Sequence, residues 1–378
     1  MEDVTVIGSG PAGLSTGAEL VARGIGVTVL EHGPRPAAAW AARYEGLRFN
    51  TSRWWSALPG APFPQEYGWF PTRDQYVDYL DDYQARHHVP VRTGVTVHRL
   101  DPDGDSGWRV DTDTDTVHSA HVVVATGIYN VPRLPDWAVE NDFLGTVRHS
   151  RDYRNAEVYR GRRVLVVGAG STGLEIAHEL ADCGAAEVLL SVRTPPTILL
   201  RSSGGLPGDL PVPLFLKLPP RVVDRIVARI QKLTVGDLSE LGLGEPPAGA
   251  FTQLLERGAG TAIVDAEVIE ALRAGAVRVV PAVGRLTRTG ALLADGSHVD
   301  VDDVIAATGY TTGLRELVGH LDGVVDHRDM PFVDDGGEAR PGLRFVGYVF
   351  RPGITGYAGR IARRAAREIA DAMTRQPA

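Results

Sequence analysis

Gly8, Gly10 and Gly13 follow a short run of β-branched residues, and Gly168, Gly170 and Gly173 follow another, each exactly matched partner lying 160 residues further on (168 − 8 = 160). Glycines at this spacing do chemistry through shape. The first makes a tight turn, the second lets the backbone approach a pyrophosphate, and the third lets a helix lie close to a strand. The helix that follows offers its unpaired N–H groups to the phosphates. In "VTVIGSGPAGLSTGAELVARGIGVTVLEHG" (Val4–Gly33) the second strand ends at Glu31, 31 − 13 = 18 residues past the last glycine. A carboxylate there can hold the hydroxyl pair of a ribose. "RVLVVGAGSTGLEIAHELADCGAAEVLLSVR" (Arg163–Arg193) has no acid at that place and ends on Arg193. A carboxylate would repel a 2′-phosphate, whereas an arginine would bind one. The first device therefore suits a dinucleotide with a free ribose and the second suits NADPH, with a solvated strand-end charge as the competing reading of Arg193.

Other chemistries lack their residues. Cys183 is the sole cysteine, which excludes a disulfide framework and a redox pair and suits a reducing cytoplasm. It stands at a helix end and reads as a small buried side chain. His149 has no Ser or Cys nucleophile near it in sequence and no second His at a ligand spacing, so no metal is expected. The acidic run Asp101–Gly107 has Ser106 at the sixth position of a calcium loop and Thr112 at the twelfth, so it reads as a hairpin turn. A net charge of −8 argues against a nucleic-acid partner. No apolar run reaches about 18 residues, so no membrane span is expected. The N-terminus enters a strand at once, with no signal peptide visible.

These sites need elements to carry them. A chain of 378 residues exceeds one ordinary core, so two domains are expected. The fold class is α/β, with two Rossmann-like dinucleotide-binding domains and the NADPH domain inserted into the FAD domain. Residues 1–155 would begin the FAD domain. Residues 156–305 would form the NADPH domain, with an insertion at 195–260 that holds a helix near Arg221–Leu233 and is the best place for substrate-specific structure. Residues 306–378 would complete the FAD domain. "HVVVATGIYNVP" (His121–Pro132) and "VDDVIAATGYTTG" (Val301–Gly313) are buried strands ending in Ala-Thr-Gly, each expected to close the sheet beside its own dinucleotide. Thr72 and Gln75 stand at capping-box spacing and start a helix with Tyr76, Leu80 and Tyr83 on its apolar face. Ile361, Ala365, Ile369 and Met373 give the last helix one apolar face, with Arg360, Arg363, Arg364 and Arg367 opposite. That helix is expected to return to the first domain.

One further stretch, "FLGTVRHSRDY" (Phe143–Tyr153), lies between the two glycine turns. Its Phe143, Gly145, His149 and Tyr153 fit the Phe-x-Gly-x-x-x-His-x-x-x-Tyr signature, and the chain here resembles the flavin-containing monooxygenases. "FNTSRWW" (Phe49–Trp55) resembles that family's Asn-Thr-Ser segment beside the flavin, and "AATGY" (Ala306–Tyr310) resembles its later Ala-Thr-Gly motif. The likeness covers nearly the whole chain and is closest to the short YUCCA-like branch. Asn50 departs from that branch and follows the general monooxygenase pattern.

The resemblance implies FAD in the first turn and NADPH in the second, with O2 addition at the flavin C4a carbon to give a (hydro)peroxide. It implies oxygenation of a small organic molecule, either at an amine nitrogen or sulfur or by attack on a 2-oxo acid or ketone carbonyl. The cofactor-binding set comprises Gly8, Gly10, Pro11, Ala12, Gly13, Glu31, Trp40, Thr126 and Gly127 on the flavin side. On the nicotinamide side it comprises Gly168, Gly170, Ser171, Thr172, Gly173, Arg193, Thr308 and Gly309. Asn50 is expected to hydrogen-bond near the flavin or bound NADP. His149 is expected to position the domains and the cofactor near the nicotinamide, on a linker anchored by Phe143 and Tyr153 and given its conformation by Gly145. An NADPH oxidase or a non-oxygenating FAD/NADPH oxidoreductase is the alternative. A cytoplasmic enzyme without membrane or nucleic-acid partners is expected. Substrate identity and oligomeric state, including a homo-oligomer, are not legible at this level.

Overall fold

The computed structural model describes residues 2–104, 107–258 and 261–375, without the side chains of 255–257. The chain divides into two compact units. One is built from Met1–Ala42, Ser52–Val131 and Tyr310–Ala378, and the other from Arg43–Thr51 and Pro132–Gly309.

The first unit is organised on a sheet whose central strands are all parallel, in the order Leu343–Phe345, Thr116–Val124, Glu2–Ile7, Val27–Glu31, Val91–Thr93. Strands this rich in valine with both faces covered form continuous apolar runs, and Val4, Val6, Val29, Val122, Val123 and Val124 are fully buried. The hairpin Val97–Asp103/Gly107–Thr112 extends the edge antiparallel, with Asp103 opposite Gly107. The expected hairpin turn falls on Asp105 and Ser106, which lie outside the described residues. The helix Arg73–Arg86 opens on the expected capping box: the Thr72 hydroxyl accepts from the Gln75 N–H at 3.3 Å, and the Gln75 side chain accepts from the Thr72 N–H at 2.9 Å. The last helix, Ile354–Arg375, returns to this unit and packs on Pro11–Val21, burying Ile361, Ala365 and Ile369.

The second unit carries a five-stranded parallel sheet in the order Arg278–Pro281, Glu187–Val192, Arg163–Val167, Asp303–Ala306, Thr146–His149. Within the 195–260 stretch, Ile198–Leu200 pairs parallel with Ala262–Val264 just beyond it, and a helix runs over Pro220–Thr234, one residue beyond the expected span at each end. Cys183 ends the helix Ser171–Cys183 and is half-buried, not buried as expected.

The unit boundaries differ from those expected at 155/156 and 305/306. Strand Thr146–His149 pairs residue for residue with Asp303–Ala306, which draws everything from Pro132 into the second unit. Arg43–Thr51 joins it as well, because Tyr44 is buried in that unit's core beside Tyr153 and Leu174.

Candidate functional site

The first glycine turn is forced by close approach. Gly8 has φ +98°, and a Cβ on it would stand 2.8 Å from the Ala125 carbonyl oxygen. A Cβ on Gly13 would overlap the Gly8 carbonyl oxygen, while one on Gly10 would meet nothing within 4 Å. The helix Pro11–Val21, with Ala12 buried in its first turn, has Gly10 as its N-cap and no side-chain cap. An N-terminus without a side-chain cap, with free space beside Gly10, fits a pyrophosphate. Glu31 is buried and clasps this turn: its carboxylate accepts from the Ser9 N–H at 3.0 Å, the Ser9 hydroxyl at 2.5 Å and the Gly33 N–H at 2.8 Å. Thr126 follows the first Ala-Thr strand end, and its N–H and hydroxyl meet the Tyr348 hydroxyl at 3.2 and 2.7 Å. Gly127 turns there with φ +84°. Trp40, on the short helix Ala38–Ala41, packs edge-on against Tyr76 with ring centroids 4.6 Å apart.

The second turn repeats the first. Gly168 has φ +114°, and a Cβ on it would lie 2.5 Å from the Ala307 carbonyl oxygen. A Cβ on Gly173 would overlap the Gly168 carbonyl oxygen, and one on Gly170 would meet nothing within 4 Å. Helix Ser171–Cys183, begun by Ser171 and Thr172, likewise lacks a side-chain cap. In each unit the Ala-Thr-Gly segment thus lies against the first glycine of its own turn. Arg193 is exposed just past strand Glu187–Val192, with no ion pair among the described residues, and so remains available to an anion. The Thr308 hydroxyl donates to the Arg133 carbonyl at 2.5 Å, and Gly309 turns with φ +84°.

The Phe143–Tyr153 stretch holds the edge strand Thr146–His149 of the second sheet, and both of its aromatic anchors lie in that one unit. This corrects the expected linker anchored in each domain. Phe143 packs with Leu165 and Val304, while Tyr153 is buried with Tyr159 and donates from its hydroxyl to Glu179 at 2.8 Å. Gly145 is also corrected: it has no left-handed φ. A Cβ there would overlap the Asp302 carbonyl oxygen and press on the Phe143 ring, so close approach explains it. His149 is 3% exposed. Its Nδ1 accepts from the Arg151 N–H at 3.0 Å, so the proton sits on Nε2, which donates to the Gly309 carbonyl at 3.0 Å. Burial holds the imidazole below the usual histidine range, with the Gly309 bond opposing.

Asn50 lies in the second unit, where its Oδ1 accepts from Nη2 of Arg201 at 3.3 Å. The Arg201 side chain is 2% exposed and forms ion pairs with Glu175 and Asp265. Arg201 is therefore already paired with carboxylates and is not open to a phosphate. Glu175 also accepts from the Tyr44 hydroxyl. Sequence reasoning missed this network. The one signal was a pair of acids, Glu175 and Glu179, four residues apart and so on one face of the helix.

Two Rossmann turns, one clasped by a buried acid and the other flanked by an open arginine, define a two-dinucleotide oxidoreductase. Residues 5–198 match the family model for pyridine nucleotide-disulphide oxidoreductase, although a single cysteine supplies no redox pair. The chain is 35% identical over 313 residues to indole-3-pyruvate monooxygenase YUCCA1 of rice, covering 82% of this chain and 77% of that protein. It is 31% identical over 360 residues to a probable indole-3-pyruvate monooxygenase of Arabidopsis thaliana, covering 93% and 86%. The solved flavin-containing monooxygenase of Stenotrophomonas maltophilia superposes with a TM-score of 0.72 at 26% identity, covering 99% of this chain and all of that one. OTEMO, solved in complex with FAD and NADP, shares the fold with a TM-score of 0.76 at 19% identity, covering 99% and 85%. The chain belongs to the flavin monooxygenases, among the relatives of the YUCCA enzymes, and is a flavoprotein monooxygenase. Among the described residues, no helix is long and apolar enough to cross a membrane.

Proposed function

We propose that the protein uses NADPH, O2 and FAD to oxygenate a small 2-oxo acid at its carbonyl carbon, releasing CO2 and the acid one carbon shorter. The observation that carries this reading is the 35% identity, over four fifths of the chain, to an enzyme named for indole-3-pyruvate, itself a 2-oxo acid. The overall balance is 2-oxo acid, O2, NADPH and a proton giving the shortened acid, CO2, water and NADP+.

The chemistry supplied by the bound cofactors is hydride transfer from nicotinamide to flavin and activation of O2. The protein's own residues hold and orient them. Gly8, Gly10, Pro11, Ala12 and Gly13 form the FAD pyrophosphate cradle, with Glu31 beside the ribose and Trp40, Thr126 and Gly127 along the same side. Gly168, Gly170, Ser171, Thr172 and Gly173 form the NADPH cradle, with Thr308 and Gly309 beside it and Arg193 on the 2′-phosphate. His149 is a positioning residue, because both ring nitrogens are committed to backbone partners. Asn50 offers its amide N–H groups to the bound cofactors.

The deciding assay follows NADPH and O2 consumption with indole-3-pyruvate and phenylpyruvate against tertiary amines and thioethers, with peroxide measured in parallel. Substrate-stimulated turnover with one shortened acid per NADPH supports the proposal. Oxide formation from the amines or thioethers alone would replace it with heteroatom oxygenation. Peroxide equal to NADPH under every condition would make the protein an oxidase.

A further inference from the structure

Arg201 is the buried cation for which the proposed function has no use. Its guanidinium bridges Glu175 and Asp265 and reaches Asn50 at 3.3 Å. Glu175 lies four residues into the helix opened by the second glycine turn (175 − 171 = 4) and also takes the Tyr44 hydroxyl. The Arg43–Thr51 stretch is thus fastened to that helix at two points, Tyr44 on Glu175 and Asn50 through Arg201. A third tie lies between them: Gly46 is packed so closely on Glu179 that a Cβ would overlap the carboxylate.

We propose that Arg201 is a positioning residue that fixes the direction of the Asn50 amide. A guanidinium carries donors only, so it can face only the oxygen end of an amide. With Oδ1 held by Arg201, the Nδ2 group is turned to the opposite side, and Asn50 presents donors alone. Without Arg201 the amide flips, and a donor and an acceptor alternate at the same place. Glu175 and Asp265 cancel the positive charge, so Arg201 acts through geometry and not through its field. The helix whose first turn holds the NADPH phosphates thereby also aims the amide, because Glu175 sets the guanidinium plane. This inference rests on the assignment of Asn50 to the cofactor site and names the residue that orients it.

The test uses full-length protein and four variants: Asn50→Ala, Arg201→Met, Arg201→Lys, and the triple change Arg201→Met, Glu175→Gln, Asp265→Asn. The triple change strands no buried charge and keeps the test usable if Arg201→Met alone fails to fold. The first readout is thermal unfolding of flavin-stripped protein in a double-mutant cycle. The loss caused by Asn50→Ala should shrink by half or more when Arg201 is already replaced, since contacting residues are not additive. The second readout is peroxide released per NADPH in FAD-loaded protein with substrate present. The triple variant should release as much peroxide as Asn50→Ala, adding Asn50→Ala to it should change nothing further, and Arg201→Lys should fall between wild type and the triple variant. Flavin reduction without O2 should stay within about twofold of wild type, which separates misdirection from loss of NADPH binding. If Asn50→Ala uncouples the enzyme while the triple variant stays coupled, Arg201 is structural only and the inference is overturned. Additive melting shifts overturn it as well. If Asn50→Ala itself remains fully coupled, the cofactor-site reading of Asn50 fails, and the inference falls with it.

Discussion

The His149 imidazole and the Gly309 carbonyl are joined by a 3.0 Å hydrogen bond at the C-terminal ends of two neighbouring parallel strands, and the Arg151 N–H on Nδ1 fixes which nitrogen donates. The signature histidine is therefore a clamp between its own strand and the second Ala-Thr-Gly turn. His149→Ala removes two part-buried hydrogen bonds, at about 0.5–1.5 kcal/mol each. The expected result is a lower melting temperature together with flavin reduction slowed on the order of a hundredfold, because the Gly309 turn shifts beside the nicotinamide site. Anaerobic stopped-flow absorbance checks it, and a wild-type rate with unchanged NADPH affinity would confine His149 to packing.

Arg193→Ala should narrow the preference for NADPH over NADH. Loss of a charge-assisted contact to the 2′-phosphate corresponds to roughly 1.5–3 kcal/mol, about a ten- to hundredfold fall in the ratio of kcat/KM values. An unchanged ratio would place the phosphate on a residue other than Arg193, and not on Arg201, which its two carboxylates already occupy.

Glu31→Ala should yield protein depleted of flavin. The substitution strands the Ser9 and Gly33 N–H groups, at a stability loss on the order of 2–4 kcal/mol, and loosens the turn meant for the pyrophosphate. Chromatography of the flavin released from wild type should give FAD, and the same measurement on the variant gives its occupancy. FMN in the wild type, or full FAD in the variant, would remove the ribose assignment.

Burial raises the Glu179 carboxyl from 4.5 to about 7, with Glu175 and Glu45 adding and the Tyr153 hydroxyl opposing. The folded state thus holds this proton more tightly than the unfolded chain does. Its contribution to stability is fully present below about pH 4.5 and is lost as pH rises through about 7. Melting temperature should fall across that window for wild type and fall less for Glu179→Gln. The difference should be on the order of 3 kcal/mol over the whole range. Parallel curves for the two proteins would show that Glu179 ionises at its ordinary value.

Much of this was legible in the sequence, because glycine spacing and β-branched runs are local signals. Both turns, the acid at 31, the arginine at 193 and the return of the last helix all follow from patterns within about 30 residues. What escaped was long-range. The Arg201 network joins residues 44, 50, 175, 201 and 265, and no spacing rule links them. The unit boundary escaped for a similar reason, since strand Thr146–His149 chooses its partner 157 residues away (303 − 146 = 157). Gly145 shows the limit of composition. Its type was readable but its cause was not, because Asp302 reaches it from a place distant in sequence.

The interleaving of the two units has a consequence for biogenesis. The chain passes between them four times, at 42/43, 51/52, 131/132 and 309/310. The first unit's sheet lacks strand Leu343–Phe345 until nearly the whole protein has been synthesised, leaving strand Thr116–Val124 paired with Glu2–Ile7 but without its parallel neighbour on the other side. The second unit has every strand of its sheet once residue 306 has emerged, and its Arg43–Thr51 piece was made long before. On the ribosome, the unit that starts last finishes first, and the N-terminal segment waits with an open edge, the kind of exposed strand that chaperones shield and aggregation exploits. At roughly 5–20 residues per second, the interval from residue 131 to residue 345 (345 − 131 = 214) lasts about 10–40 s. A truncation anywhere before Leu343 should therefore give insoluble protein even when both glycine turns are intact.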